Sequence, residues 1–136
     1  MQRDFKLRSL DTDFLEQVGL PWEAVREVKG SEQRDWVIIH GRPIPPGYKV
    51  GAAKTALLLP GNYPDTQIDM VYFAPAVLRA DGKNINNLTT EAIRDVTYQR
   101  WSRHRTKANP WDPADDSIET HLILVDLWLK TELTRG

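Results

Sequence analysis

The clearest pattern along the chain is a helical stripe of apolar residues near its C-terminal end. The stripe consists of Ile118, Leu122, Val125 and Leu129, widened by Leu124 and Trp128. Apolar residues that recur every three or four positions predict an amphipathic helix. Asp116 and Glu119, which follow Pro113, resemble a capping box, so the helix is predicted to begin there and to cover one face of a sheet.

Three segments in the first half of the chain are typical of β-strands. Residues 35–40 are mainly β-branched and aromatic, residues 48–59 place apolar side chains on one parity, and residues 67–73 alternate. The Ala-rich middle of residues 48–59 leaves a helix open as an alternative there. The connecting segments, residues 42–47 and 60–65, are rich in Pro and Gly and are predicted to be turns outside the strands. Together these features predict an antiparallel meander.

The other elements are less clearly marked. Residues 10–28 predict one broken helix interrupted at Gly19, and residues 89–96 predict a short helix after a turn at residues 81–84. Residues 99–113 have no regular period and predict a long irregular loop. The expected fold is therefore α+β, a single domain over residues 1–136. It has an N-terminal helix, an antiparallel strand meander, a long irregular loop and a C-terminal helix packed on the sheet.

Composition narrows the functional classes. The 136 residues include 18 basic and 19 acidic side chains, so the net charge of -1 does not favour nucleic acid or membrane as a partner. No apolar run is long enough to cross a bilayer and no signal peptide is recognisable, which predicts a cytoplasmic protein. The chain has no cysteine, which excludes disulfides, Cys-ligated metals and thiolate mechanisms.

The irregular loop carries the densest charge in the sequence. Residues 98–107 contain four basic residues, two aromatic residues and one histidine, and residues 112–119 then carry four acidic ones. These charges either pair with each other and with solvent, or form a basic, aromatic-flanked groove for an anionic chain end or a phosphate. Single-stranded nucleic acid is less favoured as a ligand, because the basic patch is short.

His104 is the candidate functional residue of this loop. It lies between Trp101 and Trp111, and its arginine neighbours favour a neutral imidazole that can accept a proton. Ser102, two residues earlier, is a candidate nucleophile, although the sequence identifies no carboxylate that would orient the histidine.

The remaining histidines and tryptophans have structural interpretations. His40 ends a predicted strand and His121 lies in the predicted helix, so both are expected to be structural. Trp36 and Trp128 are expected in the core, whereas the two tryptophans of the loop fit either the core or a groove. No metal-ligand spacing and no phosphate-binding glycine loop is present, so neither a metal nor a cofactor is predicted.

The order of these features resembles the ubiquitin-conjugating enzyme fold, and more specifically the bacterial group called prokaryotic family E of that superfamily. The resemblance extends from about Leu10 to Leu133. The motifs that carry it are Gly19-Leu20-Pro21-Trp22-Glu23, Pro45-Pro46-Gly47-Tyr48, Leu59-Pro60-Gly61-Asn62-Tyr63-Pro64-Asp65, Asp69-Met70, Trp101-Ser102-Arg103-His104-Arg105 and Trp111.

This resemblance implies a site and partners. In ubiquitin-conjugating enzymes the catalytic cysteine precedes a Trp-x-Pro motif by seven or eight residues, a position that falls on Arg103 or His104 here. No His-Pro-Asn motif lies upstream. The implied partners are a ubiquitin-like protein and an activating-enzyme-like protein, with a JAB-type metallopeptidase in the gene neighbourhood.

Three functions follow for the loop from Trp101 to Trp111. In the first, a conjugating-enzyme-like protein uses His104 as nucleophile or general base, while Arg103 and Arg105 bind an acidic tail or carboxylate. The second is a non-catalytic binding module that docks partners through the same loop and the turn at residues 45–46. The third is a small hydrolase that uses the Ser102 hydroxyl, and it requires a carboxylate within reach of the histidine.

Overall fold

The structure is a computed structural model that describes residues 1–135. Across these residues the chain forms two helices and one six-stranded sheet, in the order α1 (Ser9–Val18), β1 (Trp22–Lys29), β2 (Glu32–Pro43), β3 (Ala52–Leu59), β4 (Val71–Ala74), β5 (Leu88–Ile93), β6 (Val96–Trp101) and α2 (Ile118–Thr134). The strands pair antiparallel in the order β1-β2-β3-β4-β6-β5. The predicted α+β class, with a meander between an N-terminal and a C-terminal helix, is confirmed. In the described part of the chain, neither helix has the length and apolarity required to cross a membrane.

The prediction of a broken helix over residues 10–28 was wrong in its second half. Helix α1 ends at Val18 because Gly19 adopts a left-handed conformation with φ 80°. The following segment is strand β1, which pairs with β2 along its whole length. Trp22 and Val25 lie on opposite faces of this strand, each in a different hydrophobic core. Their side chains therefore alternate with the two-residue period of a strand and not with the period of a helix.

The short helix predicted over residues 89–96 was also wrong. These residues form part of a β-hairpin, β5 and β6, with the left-handed Arg94 (φ 53°) in its turn. Residues 52–59 form strand β3, which removes the helical alternative for the 48–59 segment. Strand β2 continues to Pro43, so the first proline of the predicted turn is the last residue of a strand.

The C-terminal helix begins as predicted but with a different cap. Ser117 is the capping residue, and its side chain accepts a hydrogen bond from Thr120 N while its own backbone N–H donates to Thr120 Oγ1. Asp116, the predicted cap, instead accepts a hydrogen bond from Asp112 N at 2.8 Å. It therefore closes the loop that precedes the helix.

The sheet is buried on both faces. One face packs against the helices, with Val37, Ile39 and Phe73 among its core residues. The other face holds a second core that includes Trp36 and Tyr72, whose rings meet edge to face at 4.9 Å. Burial on two sides explains why residues 36–39 are continuously apolar. It also confirms the prediction that Trp36 is a core residue.

The second core is enclosed because the sheet curls until its two edge strands meet. In the hairpin turn, the Arg94 guanidinium donates to Glu23 of β1 at 3.1 Å, and its backbone N–H donates to Glu27 at 2.6 Å. Arg34 of β2 forms an ion pair with Glu91 of β5. These contacts connect strands from opposite ends of the sheet order.

A buried carboxylate connects the two helices. Asp11 of α1 is fully buried, and its Oδ1 accepts a hydrogen bond from Ile118 N, the first residue of α2, at 3.0 Å. Its Oδ2 accepts from the Tyr63 hydroxyl at 2.6 Å and from Arg8 Nε at 2.9 Å. A carboxylate at a helix N-terminus is stabilised by the unpaired N–H groups and by the helix dipole.

We therefore expect Asp11→Asn to lower the free energy of unfolding by about 2–4 kcal/mol, because the amide cannot satisfy all three donors. Urea denaturation at pH 7 measures the change. Asp13→Asn is the matched control, since Asp13 is exposed on the same helix and the substitution removes the same charge. A loss of equal size in the two variants would contradict the role given to Asp11.

Candidate functional site

The irregular segment between β6 and α2, residues 102–117, is called the 102–117 segment below. Its first residues are fixed by backbone hydrogen bonds on two sides: Ser102 N donates to Asn87 O at 3.0 Å, and Met70 N donates to Arg103 O at 3.0 Å. The backbones of Met70 and Asn87 are both left-handed, with φ of 62° and 59°. The segment is therefore positioned by two unusual backbone conformations, and the one at Met70 is disfavoured for a residue with a Cβ.

His104 is exposed at the start of this segment. Its side chain is 56% exposed, and its Nδ1 lies 3.4 Å from Oδ1 of Asp69. The same carboxylate oxygen accepts a hydrogen bond from Gln67 Nε2 at 2.8 Å. The structure thus brings to His104 the carboxylate that the sequence did not identify.

His121 of α2 stabilises this arrangement through the backbone carbonyl of Met70. The ring is fully buried, its Nε2 lies 2.8 Å from Met70 O, and it meets the Trp128 ring edge to face at 5.5 Å. Its Nδ1 has no hydrogen-bond partner among residues 1–135. Burial lowers the pKa of His121 to about 4, so the ring is neutral and donates from Nε2 to the Met70 carbonyl. Its structural placement agrees with the prediction.

The arginines on the two sides of His104 have different environments. Arg103 lies over the Trp101 ring at 5.0 Å and donates to Asn86 O at 3.1 Å, with Glu132 3.6 Å away. Burial lowers the pKa of the Arg103 guanidinium. Arg105 has a side chain only 4% exposed, 3.5 Å from Asp116. It is therefore held inside the segment.

The two tryptophans next to His104 in the sequence, Trp101 at the end of β6 and Trp111 in the segment, pack inward. Trp101 is fully buried against Tyr48 and Phe73, and its Nε1 donates to Gln99 Oε1 at 2.9 Å. Trp111 is half-buried, donates from Nε1 to Pro64 O at 2.8 Å, and lies 5.1 Å from the Arg105 guanidinium. Both rings support the segment and the charged side chains above it.

A groove of about 620 Å³ runs between the 102–117 segment and α2, and is called the His104 groove. Its apolar lining includes Leu124, Leu127 and Trp128, and its polar lining includes Arg103, His104 and Arg135. Trp128 packs against the helix-side core and is also partly exposed in this groove, so the prediction that it is a core residue holds only for part of its ring. The groove combines an apolar surface with cationic side chains.

Ser102 is half-buried beside the groove. Within residues 1–135 no hydrogen bond joins its hydroxyl to His104, so the two residues do not form a nucleophile–base pair in this structure. The hydrolase interpretation requires a carboxylate near His104, which Asp69 provides, and a hydrogen bond between Ser102 and His104, which is not present among the described residues.

Sequence reasoning did not identify the roles of Asp69 and Glu132. The signal for Asp69 was the pairing of β4 with β6, in which Val71 lies opposite Trp101. Continuing this antiparallel register places residue 69 near residue 103. The pairing was missed because β6 was not predicted as a strand.

Comparison with known proteins gave one result. Residues 7–132 match the protein-family model described as Prokaryotic E2 family E. No curated protein and no solved structure matches the chain significantly. The match spans nearly all of the described fold.

The lowered pKa of His121 predicts a loss of stability in acid. An unfolded histidine binds a proton as the pH falls below about 6.5, whereas the folded His121 stays neutral to about pH 4. The unfolded state therefore binds more protons in this interval, and about 3 kcal/mol of unfolding free energy is expected to be lost across it.

His121→Gln tests this expectation, because the amide can still donate to Met70 O but does not titrate. The difference in unfolding free energy between wild type and variant is measured by urea denaturation from pH 8 to pH 4. At pH 8 this difference reports only the effect of the substitution on packing. As the pH falls to 4, the wild type should lose about 3 kcal/mol of unfolding free energy relative to the variant. A difference that is constant with pH would refute the assignment.

Proposed function

Because the chain belongs to prokaryotic E2 family E, we propose that it acts in a bacterial ubiquitin-like modification pathway and binds a ubiquitin-like protein in the His104 groove. The family membership supports the pathway, and the groove supports the place of binding. In this proposal the groove receives the extended C-terminal tail of the ubiquitin-like protein. The binding site then includes the 102–117 segment, as expected from the sequence.

The observation that carries the proposal is the composition of the groove. Leu124, Leu127 and Trp128 of α2 offer an apolar surface to the side chains of a bound tail, and Leu127 is 56% exposed. An exposed apolar surface inside a concave site of this kind is typical of a binding groove.

The charges at the groove favour an anionic chain end. Three arginines, Arg79, Arg103 and Arg135, lie within ion-pair distance of the single carboxylate of Glu132. Asp81 neutralises part of this charge through Arg79. Within residues 1–135 the cluster thus combines three guanidinium groups with two carboxylates, and this excess of positive charge favours a carboxylate or an acidic tail. Arg105 contributes by holding the segment, because Asp116 and Trp111 already occupy its guanidinium.

The absence of cysteine determines what the protein can contribute to the pathway. The chain cannot form a thioester, so the acyl group of a ubiquitin-like protein stays on the thiol of another protein, such as an activating-enzyme-like protein. The non-catalytic binding module remains a second candidate, since an exposed Pro46 and the same groove offer a docking surface without chemistry.

The binding proposal is tested with two substitutions on one helix. Leu127→Glu places a carboxylate in the groove and is expected to weaken binding of the ubiquitin-like protein from the same gene neighbourhood by about 10-fold or more. Ile123→Glu is the matched control, because Ile123 is 64% exposed on the same helix and does not line the groove. Isothermal titration calorimetry measures both affinities.

Equal weakening by the two substitutions would contradict the placement of the site. The wild-type chain should bind a ubiquitin-like protein without its C-terminal tail as weakly as the Leu127→Glu variant binds the full-length ubiquitin-like protein. Retained affinity of that truncated form would show that the tail does not occupy the groove.

His104→Ala separates the transferase from the binding module. Purified protein is mixed with the activating enzyme, the ubiquitin-like protein and ATP, and conjugates are followed by mass spectrometry. If the protein takes part in transfer, conjugate formation is expected to fall about 100-fold in the variant, far more than its affinity for the ubiquitin-like protein falls. Full activity of His104→Ala in this assay would favour the binding module.

A further inference from the structure

We propose that Asp69 and His104 form a general-base dyad that accepts the proton of an external nucleophile during acyl transfer. Asp69 is the positioning residue and His104 is the catalytic residue. The acyl donor is a thioester held by another protein, and the acceptor is an amine or water. The proposal rests on the proposed function for the identity of the acyl group, the C-terminal carbonyl of the ubiquitin-like tail.

The first support is the direction of the imidazole. Asp69 Oδ1 lies 3.4 Å from His104 Nδ1, and a carboxylate on that side of the ring favours the tautomer with the proton on Nδ1 and the lone pair on Nε2. More than half of the His104 side chain is exposed, so a substrate can reach the ring. The contact is longer than an ideal hydrogen bond, as is common for catalytic pairs before substrate binds.

The second support is the way both residues are held. Gln67 Nε2 donates to the same carboxylate oxygen of Asp69 at 2.8 Å. The next peptide is fixed on both sides, since Met70 N donates to Arg103 O and Met70 O accepts from the buried His121. The left-handed backbone of Met70 is disfavoured for a residue with a Cβ, and strained residues of this kind concentrate at functional sites. The backbones next to Asp69 and His104 are thereby tied to one another.

The third support is the surrounding chemistry. Arg103 and Arg105 are engaged with Glu132 and Asp116, so His104 is the polar side chain of this loop that is both exposed and oriented by a carboxylate. Among residues 1–135 no hydrogen bond joins the Ser102 hydroxyl to the ring, and the chain has no cysteine. A base with no nucleophile of its own implies that the nucleophile belongs to another molecule.

The proposed step balances without any further reactant. The acceptor N–H or O–H gives its proton to His104 Nε2 as the acceptor attacks the thioester carbonyl. The tetrahedral intermediate then collapses, the C–S bond breaks, and the imidazolium returns the proton to the leaving thiolate. Asp69 stabilises the imidazolium between the two proton transfers. A direct attack by His104 would instead give an acyl-imidazole, which hydrolyses readily and is a poor carrier.

The test uses the full chain and the ubiquitin-like protein prepared as a C-terminal thioester of a small thiol, with hydroxylamine as acceptor. His104→Ala is expected to lower kcat about 100-fold, and Asp69→Asn about 10- to 100-fold, each with little change in KM. Asp69→Glu should restore most of the rate, because it restores the carboxylate. Asp65→Asn is the matched control, since Asp65 is exposed on the neighbouring turn and its removal should leave kcat unchanged.

Two further measurements separate the dyad from other roles. General-base catalysis predicts a normal solvent deuterium isotope effect on kcat and no accumulation of acyl-imidazole. A nucleophilic His104 predicts a solvent isotope effect near unity and a detectable acyl-imidazole. Thermal melting of each variant identifies any loss that comes from unfolding. Equal kcat losses in Asp69→Asn and Asp69→Glu, with unchanged melting, would assign Asp69 another role and overturn the dyad.

The two proposals fail in distinguishable ways. If the wild type does not bind the ubiquitin-like protein, the proposed function falls, and the dyad is still tested by hydrolysis of an activated alkyl ester with a poor leaving group, ethyl dichloroacetate, which imidazole cleaves as a general base. That reaction should slow in His104→Ala and Asp69→Asn. If the wild type binds but neither substitution changes either rate, the dyad is refuted and the binding function stands.

Discussion

The carboxylate of Asp11 is the interaction on which the arrangement of the helices and the site depends. It is buried in α1, yet its partners come from three separate parts of the chain: the first N–H of α2, the hydroxyl of Tyr63 and the guanidinium of Arg8. Tyr63 lies 6.1 Å from the Trp111 ring, which in turn lies against Arg105. One desolvated charge therefore fixes both the start of α2 and the position of the 102–117 segment. It thereby adds a second anchor between the two walls of the His104 groove, beside the contacts of Met70 with His121 and Arg103.

The parts of the fold that the sequence predicted were those in which local preference and burial agree. The apolar positions of α2 follow one helical period, and the apolar run of β2 is continuous and β-branched, which favours a buried strand. Strand β1 and the hairpin of β5 and β6 were missed, because their burial alternates irregularly between two cores and depends on the curl of the sheet. That curl is maintained by contacts such as Arg94 with Glu23, which are 71 residues apart and leave no local signal.

The site shows the same division. His104 could be selected from the sequence, because a histidine in an irregular basic loop is unusual and the family resemblance pointed to the same position. Its partner Asp69 could not be paired with it, since the connection passes through the left-handed backbone of Met70 and the buried ring of His121. Arg105 looked equivalent to Arg103 in sequence, but the structure buries it between Trp111 and Asp116. Charge patterns locate a functional loop, whereas tertiary packing decides which of its charges are free.

The closure of the sheet by Arg94 has a consequence for how this protein behaves at high concentration. Edge strands expose unpaired N–H and C=O groups, and these groups can recruit strands of other molecules and begin aggregation. Here Arg94, in the turn after the edge strand β5, reaches Glu23 of the edge strand β1, and Glu91 of β5 pairs with Arg34 of β2. A neighbouring chain would have to break these ion pairs and desolvate the charges before it could add a strand. The curled sheet thus protects a chain rich in β-structure from edge-to-edge association.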